Sequence, residues 1–196
     1  MQYIKQSELP DRKIPVISKA DVIVAGSGPA GVCAAIAAAR SGAKTVLIEK
    51  DGCLGGTWTA GNLGWIIDSK GKAGIIAEII SKLRNSGYIA SNPERPQTAA
   101  FNPEYMKLLL EELCMEAGVR IRLHTMVTDV QKTTDGKIQS VITESKSGRE
   151  AWHGKIYIDA TGDGDLGALS GCEFKVGNEN GQTQPMSLLA LICGID

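Results

Sequence analysis

The chain has 196 residues, 21 Lys+Arg against 22 Asp+Glu, and a formal net charge of −1. A balanced charge without a basic stripe argues against a nucleic-acid footprint, and no apolar run is long enough to span a bilayer. Five scattered cysteines (Cys33, Cys53, Cys114, Cys172 and Cys193) contain no C-x-x-C pair, which argues against a disulfide framework or zinc site and for a reduced, cytoplasmic setting.

The opening MQYIKQSELPDRKIP is polar and proline-interrupted, without a secretory signal. Residues 1–18 therefore read as an N-terminal arm. Ala20 to Ala25, apolar apart from Asp21, have the pattern of a parallel strand covered on both faces. A helix follows from about Pro29 to Ser41, with proline in its first turn. After Gly42, Thr45 to Glu49 read as a second buried strand, completing a right-handed strand–helix–strand unit.

The stretch DGCLGGTWTAGNLG is glycine-rich and irregular. Between about Lys72 and Asn85, Ile75, Ile76, Ile79, Ile80 and Leu83 share one helical face. Asn102-Pro103-Glu104 signals another helix start, with a capping side chain, proline and an acid near the positive end. That helix turns Met106, Leu109, Leu110, Leu113 and Cys114 to the core and stops at Gly118. Val119 to Leu123 read as a third strand. Residues 126–131, 138–144 and 150–153, joined at Asp135-Gly136 and near Ser147-Gly148, then form an antiparallel meander. Ile156 to Asp159 return as a strand, followed by ATGDGDLGALSG.

Gly26-Ser27-Gly28-Pro29-Ala30-Gly31 satisfies G-x-G-x-x-G, between a strand and a helix as that motif requires. Gly26 permits the tight turn, Gly28 lets the backbone approach a pyrophosphate, and Gly31 lets the helix pack on the strand. The amides and dipole at the helix start stabilise phosphate charge. Glu49 closes the second strand where a ribose-binding acid is expected, and its carboxylate would repel a 2′-phosphate. The turn alone does not separate NAD from FAD.

Three segments resemble the FAD-dependent oxidoreductases of the glutathione-reductase-like superfamily: VAGSGPAGVCAAIAAARSGAKTVLIEK with its closing Glu49-Lys50, GCLGGTWTAG, and YIDATGDGDLGALSG. The resemblance covers most of residues 20 to 175. It implies an α/β fold, a Rossmann-like parallel sheet with an antiparallel β-meander, and FAD as cofactor. By the same resemblance, Gly56 and Thr59 would lie along the pyrophosphate and ribityl chain, and Val127 would present its backbone to adenine. Ala160-Thr161-Gly162 would close the site, with Asp163 a candidate ribityl or phosphate-water contact. Asp165 reads as the cap of a short helical turn, a direct flavin role being the other reading. Thr57 reads as a turn residue.

The resemblance also limits the chemistry. The disulfide-reductase branch carries a redox cysteine pair directly after this GGT; here Trp58 and Leu63 stand in those places. Cys53 lacks a nearby partner and reads as a loop thiol. His124 and His153 read as surface or packing residues, and no cluster suggests a metal. Trp58 either approaches the flavin pocket or packs the loop. The expected function is flavin-mediated electron or hydride transfer to an unidentified small-molecule substrate. A non-catalytic or NAD-dependent binding module is the alternative, and catalytic residues are not identified.

Residues 19–175 are expected to form the FAD-binding domain, with the meander at about 126–153. Residues 176–196, including the apolar run from Met186, read as a strand entering a substrate domain that the chain does not complete. The expectation is an N-terminal fragment, weak in cofactor binding and turnover by itself.

Overall fold

The computed structural model describes residues 13–67, 70–91, 99–190, 192 and 194. Most of the expected arm (residues 1–12) and Cys193 lie outside the described residues. In chain order the elements are β1 (Val16–Lys19), β2 (Val22–Ala25), α1 (Pro29–Arg40), β3 (Thr45–Ile48), β4 (Trp65–Ile66), α2 (Ile75–Asn85), β5 (Ile89–Ser91), β6 (Ala99–Phe101), α3 (Pro103–Glu116), β7 (Arg120–Arg122), β8 (Met126–Lys132), β9 (Ile138–Ser145), β10 (Gly148–His153), β11 (Ile156–Asp159) and α4 (Asp165–Leu169).

The site is built on a parallel sheet of order β11-β2-β3-β7. Ile23 sits opposite Tyr157 on one side and Val46 on the other. All four residues of β2 are buried because both faces of the sheet are covered. Val22, Val24 and Leu47 pack with Val32, Ile36, Leu109 and Leu113 in the helical layer. The alternate residues Ile23, Val46 and Ile48 pack against Trp152 of the meander. A strand's two-residue period thus distributes one apolar run between two cores.

The meander is antiparallel β8-β9-β10, as its alternation predicts, and its outer edge is completed by β1, which runs parallel to β10. Here the sequence reading needs correction: Val16–Lys19 is a strand, not the end of a free arm. It is only four residues long and is held by pairing with the distant β10, so it is too short to announce itself by local periodicity. Trp152 is fully buried, its Nε1 donating to Thr143 Oγ1 at 2.8 Å, with the Arg120 and Arg122 guanidinium carbons 5.6 and 5.9 Å from its ring centroid. An indole needs this donor satisfied once water is excluded.

The helix-start signals are realised in detail. Asn102 Oδ1 accepts from the backbone amides of Glu104 at 2.9 Å and Tyr105 at 3.2 Å, capping α3, and Pro103 occupies the first turn. Arg40 at the end of α1 makes a two-pronged pair with Glu78 of α2, at 2.7 and 2.9 Å. The pair is exposed, so it orients the helices more than it stabilises them. Two further departures concern short or apolar segments. β4, β6 and β5 form a small sheet that two- and three-residue strands do not announce. Residues 184–190 form no strand and are exposed.

Candidate functional site

A cleft of about 610 Å³ opens at the carboxyl ends of β2, β3 and β11. Crevices at this end of a parallel sheet are where nucleotide ligands bind. Its floor is the turn from β2 into α1. Gly26 has φ +89°, which an L side chain rarely adopts, and a Cβ there would lie 2.3 Å from Ala160 O. Gly31 is closed in differently: its Cβ would fall 1.9 Å from Gly26 O. Gly28 is the opposite case, with φ −58°, ψ 179° and nothing within 4 Å of an added Cβ. The first and third glycines therefore serve packing, while the second faces open space.

Gly28 is also the N-cap of α1, and no acidic side chain occupies that helix's first turn. Gly28, Pro29 and Ala30 line the cleft, so the positive end of the helix stands at it. The wall opposite comes from the glycine-rich loop. Gly55 N donates to Ser27 O at 2.8 Å, and a Cβ on Gly56 would come within 3.0 Å of Gly28 Cα. Two stretches of bare backbone thus pack against each other on the lining of the cleft. A flexible diphosphate fits such a cradle, whereas any side chain at these positions would fill it.

Glu49 directly follows β3 and is only 5% exposed. Its Oε2 accepts from Ser27 N at 2.7 Å and Ser27 Oγ at 2.6 Å, and Oε1 accepts from Asp51 N at 2.9 Å. A buried carboxylate is held by hydrogen bonds or not at all. Lys50, Asp51, Thr125, Met126 and Val127 continue this end of the wall.

The far rim is set by Asp159. Its carboxylate accepts from Thr161 N at 3.0 Å, Thr161 Oγ1 at 2.7 Å and Gly167 N at 2.7 Å. Partial burial works against its charge, but these donors, with the Leu166 amide, outweigh that and hold its pKa below the ordinary value of 3.8. Thr161 Oγ1 accepts in turn from Asp165 N at 2.9 Å, so Thr161 supplies the side-chain bond at the start of α4.

Most of the site residues read from sequence line this one cleft: Gly26, Gly28, Pro29, Ala30, Glu49, Lys50, Gly56, Val127, Ala160, Thr161 and Gly162. Ser27, Gly31, Thr59 and Asp163 do not. Gly31 is sealed under the turn and Ser27 is fully buried against Glu49. Thr59 turns its hydroxyl inward onto Leu54 O, leaving Thr57 on the wall. Asp163 is exposed away from the cleft, whereas Asp165 lines it; the cap of α4 is Gly164, so the capping role read for Asp165 is corrected. Trp58 packs edge-on against Phe101 with centroids 6.2 Å apart, which favours its loop-packing reading. No group of side chains able to hold a metal ion occurs among the described residues.

The model of the FAD dependent oxidoreductase family matches residues 21–196. The chain belongs to that family. The cofactor of the family is FAD. Dihydrolipoyl dehydrogenase of Trypanosoma brucei brucei is 52% identical over 46 residues, which are 24% of this chain and 10% of that protein. Among solved structures, the flavin-dependent brominase Bmp2 superposes with a TM-score of 0.62 and 19% identity, over 79% of this chain and 41% of that one. A geranylgeranyl bacteriochlorophyll reductase-like protein of Thermoplasma acidophilum gives 0.60 and 22%, over 79% of this chain and 42% of that one. The chain thus spans less than half of these structures and a tenth of the curated relative. They share its fold: the Rossmann-like sheet with a meander expected of this FAD family.

Beyond the cleft, the described cysteines are all free. Burial, and then Cys33 and Glu111 nearby, push the Cys114 thiol up to about 12, so it stays protonated and inert at neutral pH. No helix among the described residues is long and apolar enough to cross a membrane.

Proposed function

We propose that this chain provides the adenosine-diphosphate-binding part of an FAD-dependent oxidoreductase acting on a small molecule. The observation that carries this reading is the bare backbone of Gly28 and Gly56, packed side by side on the cleft lining, with Glu49 on the same lining. Bound there, the diphosphate would meet α1's positive end, and Glu49 would accept from the ribose. Thr125 to Val127 would flank the adenine. Thr161, Gly162 and Asp165 stand on the opposite rim, towards the remainder of the dinucleotide.

The flavin supplies electron or hydride transfer, and the protein's part is to bind, orient and shield it. Disulfide-reductase chemistry is disfavoured because Trp58 and Leu63 occupy the expected cysteine positions and Trp58 is engaged in packing. The near-neutral charge supports a small-molecule substrate over a nucleic-acid partner, and the free cysteines support a cytoplasmic location.

The test is titration of the purified chain with FAD, NAD and ADP, followed by visible absorbance and calorimetry. FAD and ADP are expected to compete for one site, with bound flavin giving a yellow protein. Binding of NAD with no affinity for FAD would replace this reading by that of an NAD module.

A further inference from the structure

Ser27 is the middle residue of Gly26-Ser27-Gly28, yet its side chain does not face the cleft. It is fully buried, and its hydroxyl and its own backbone amide donate to the same atom, Glu49 Oε2, at 2.6 and 2.7 Å. An ionised carboxylate offers about four acceptor positions, two on each oxygen. Ser27 fills both on Oε2. The Asp51 amide, at 2.9 Å, takes one on Oε1. One acceptor position remains, on Oε1.

We infer that Ser27 is a positioning residue that locks Glu49 so that the acid accepts a single ribose hydroxyl rather than both. To grip two hydroxyls with both oxygens, Glu49 would have to rotate away from Ser27, abandoning charge-assisted bonds in a water-poor setting. Those bonds are roughly twice as strong as neutral ones, which makes rotation the losing arrangement. Ser27 O also accepts from Gly55 N at 2.8 Å. The same residue therefore fixes the acid and ties the glycine turn to the opposite wall. This inference rests on the nucleotide reading above and deepens it into a statement about sugar selectivity.

Calorimetric titration of the chain with ADP, 2′-deoxy-ADP and 3′-deoxy-ADP tests it. One deoxy nucleotide should bind within about twofold of ADP, and the other should be weaker by roughly tenfold or more, the loss of one hydrogen bond to a charged acceptor. Ser27→Ala should weaken ADP and bring the two deoxy nucleotides towards equal affinity, because it opens one of the two acceptor positions on Oε2 while the residue 27 amide keeps the other. Ser27→Thr, which keeps the hydroxyl, should restore the inequality. A purely space-filling role for Ser27 would alter stability and leave the ratio alone. Should either variant fail to fold, the wild-type ratio still decides. Equal losses for both deoxy nucleotides in the wild-type chain, or an unchanged ratio in folded Ser27→Ala, would overturn the lock while leaving the nucleotide site standing. No binding of ADP at all would overturn both.

Discussion

Adding one methyl group at each of two glycines three residues apart should separate folding from binding. At Gly31 the new Cβ would sit 1.9 Å from Gly26 O, 2.9 Å from Gly26 C and 3.1 Å from the Ala160 Cβ. Two of these neighbours are backbone atoms of the turn itself and cannot swing aside. Carbon atoms in favourable contact lie about 3.5–4.0 Å apart. α1 must therefore move off the sheet by more than an ångström, opening the packing of Val32 and Ile36 on Val24 and Leu47. Overpacking of this kind costs about 1–3 kcal/mol. Backbone neighbours place Gly31→Ala at the upper end, reduced by the roughly 1 kcal/mol that alanine gains over glycine within a helix.

The expected net loss is about 2 kcal/mol, or roughly 4–8 °C in Tm for a chain of this size. At Gly28 the methyl meets nothing within 4 Å and the backbone is already in a region any residue adopts. A poorer N-cap costs some tenths of a kcal/mol to about 1, and reduced freedom of the unfolded chain returns a similar amount. Gly28→Ala should therefore keep Tm within about 3 °C of wild type. Its ADP affinity should nevertheless fall by about tenfold or more, because the methyl stands where the diphosphate approaches the backbone. Thermal unfolding without ligand and calorimetry with ADP provide the two readouts. If Gly28→Ala melted early, or bound ADP as wild type does, the division of labour between these glycines would be wrong.

Other perturbations probe the remaining parts of the site. Glu49→Gln should weaken ADP by roughly tenfold while improving 2′,5′-ADP relative to ADP, since the repelling charge is gone; calorimetry with both nucleotides reads this. Asp159→Asn should lower Tm at neutral pH and loosen the Thr161–Gly162 rim. Because the Asp159 pKa is depressed on folding, its contribution is complete above the ordinary value of 3.8 and is lost as pH falls through the lower folded value. The gap in Tm between wild type and variant should therefore narrow as pH drops below 3.8, and a gap independent of pH would refute the charge-based account. Met186 and Leu188 are 100% and 94% exposed. Replacing both with serine should reduce fluorescence of a hydrophobic dye and leave Tm unchanged, whereas a fall in Tm would show that the segment is packed.

The legible parts of this chain are those whose signal is local. The glycine turn, the proline-led helices, the Asp135-Gly136 hairpin and the buried runs of β2 and β3 each follow from steric or hydrogen-bonding needs of adjacent residues. At the cleft the structure differs from the sequence reading by displacements of two residues. The sequence points to Thr59 for the wall and Thr57 for a turn residue, yet around the short helical turn at Gly56–Trp58 it is Thr57 that lines the cleft and Thr59 that turns inward. Asp165 lines the cleft in place of Asp163, with Gly164 between them at φ +76° and itself the cap of α4. Two-residue periodicity governs strands and fails once backbone torsions change sign, so residue type alone could not decide which member of either pair faces the ligand.

The bond from Ser27 to Glu49 was hidden for a different reason, since it joins residues 22 apart in sequence that become neighbours only when β2 and β3 pair. Parallel pairing of Ala25 with Ile48 places the next residue of each strand beyond the sheet's edge, where the turn and the acid meet. The serine hydroxyl is then the nearest donor to a carboxylate that has left water. On that logic the middle residue of the glycine turn is chosen by the acid at the end of the neighbouring strand, and the two positions should tolerate change only together. Ser27→Ala and Glu49→Gln combined should therefore cost less ADP affinity than the sum of the two single changes; strict additivity would mean that serine and acid act independently.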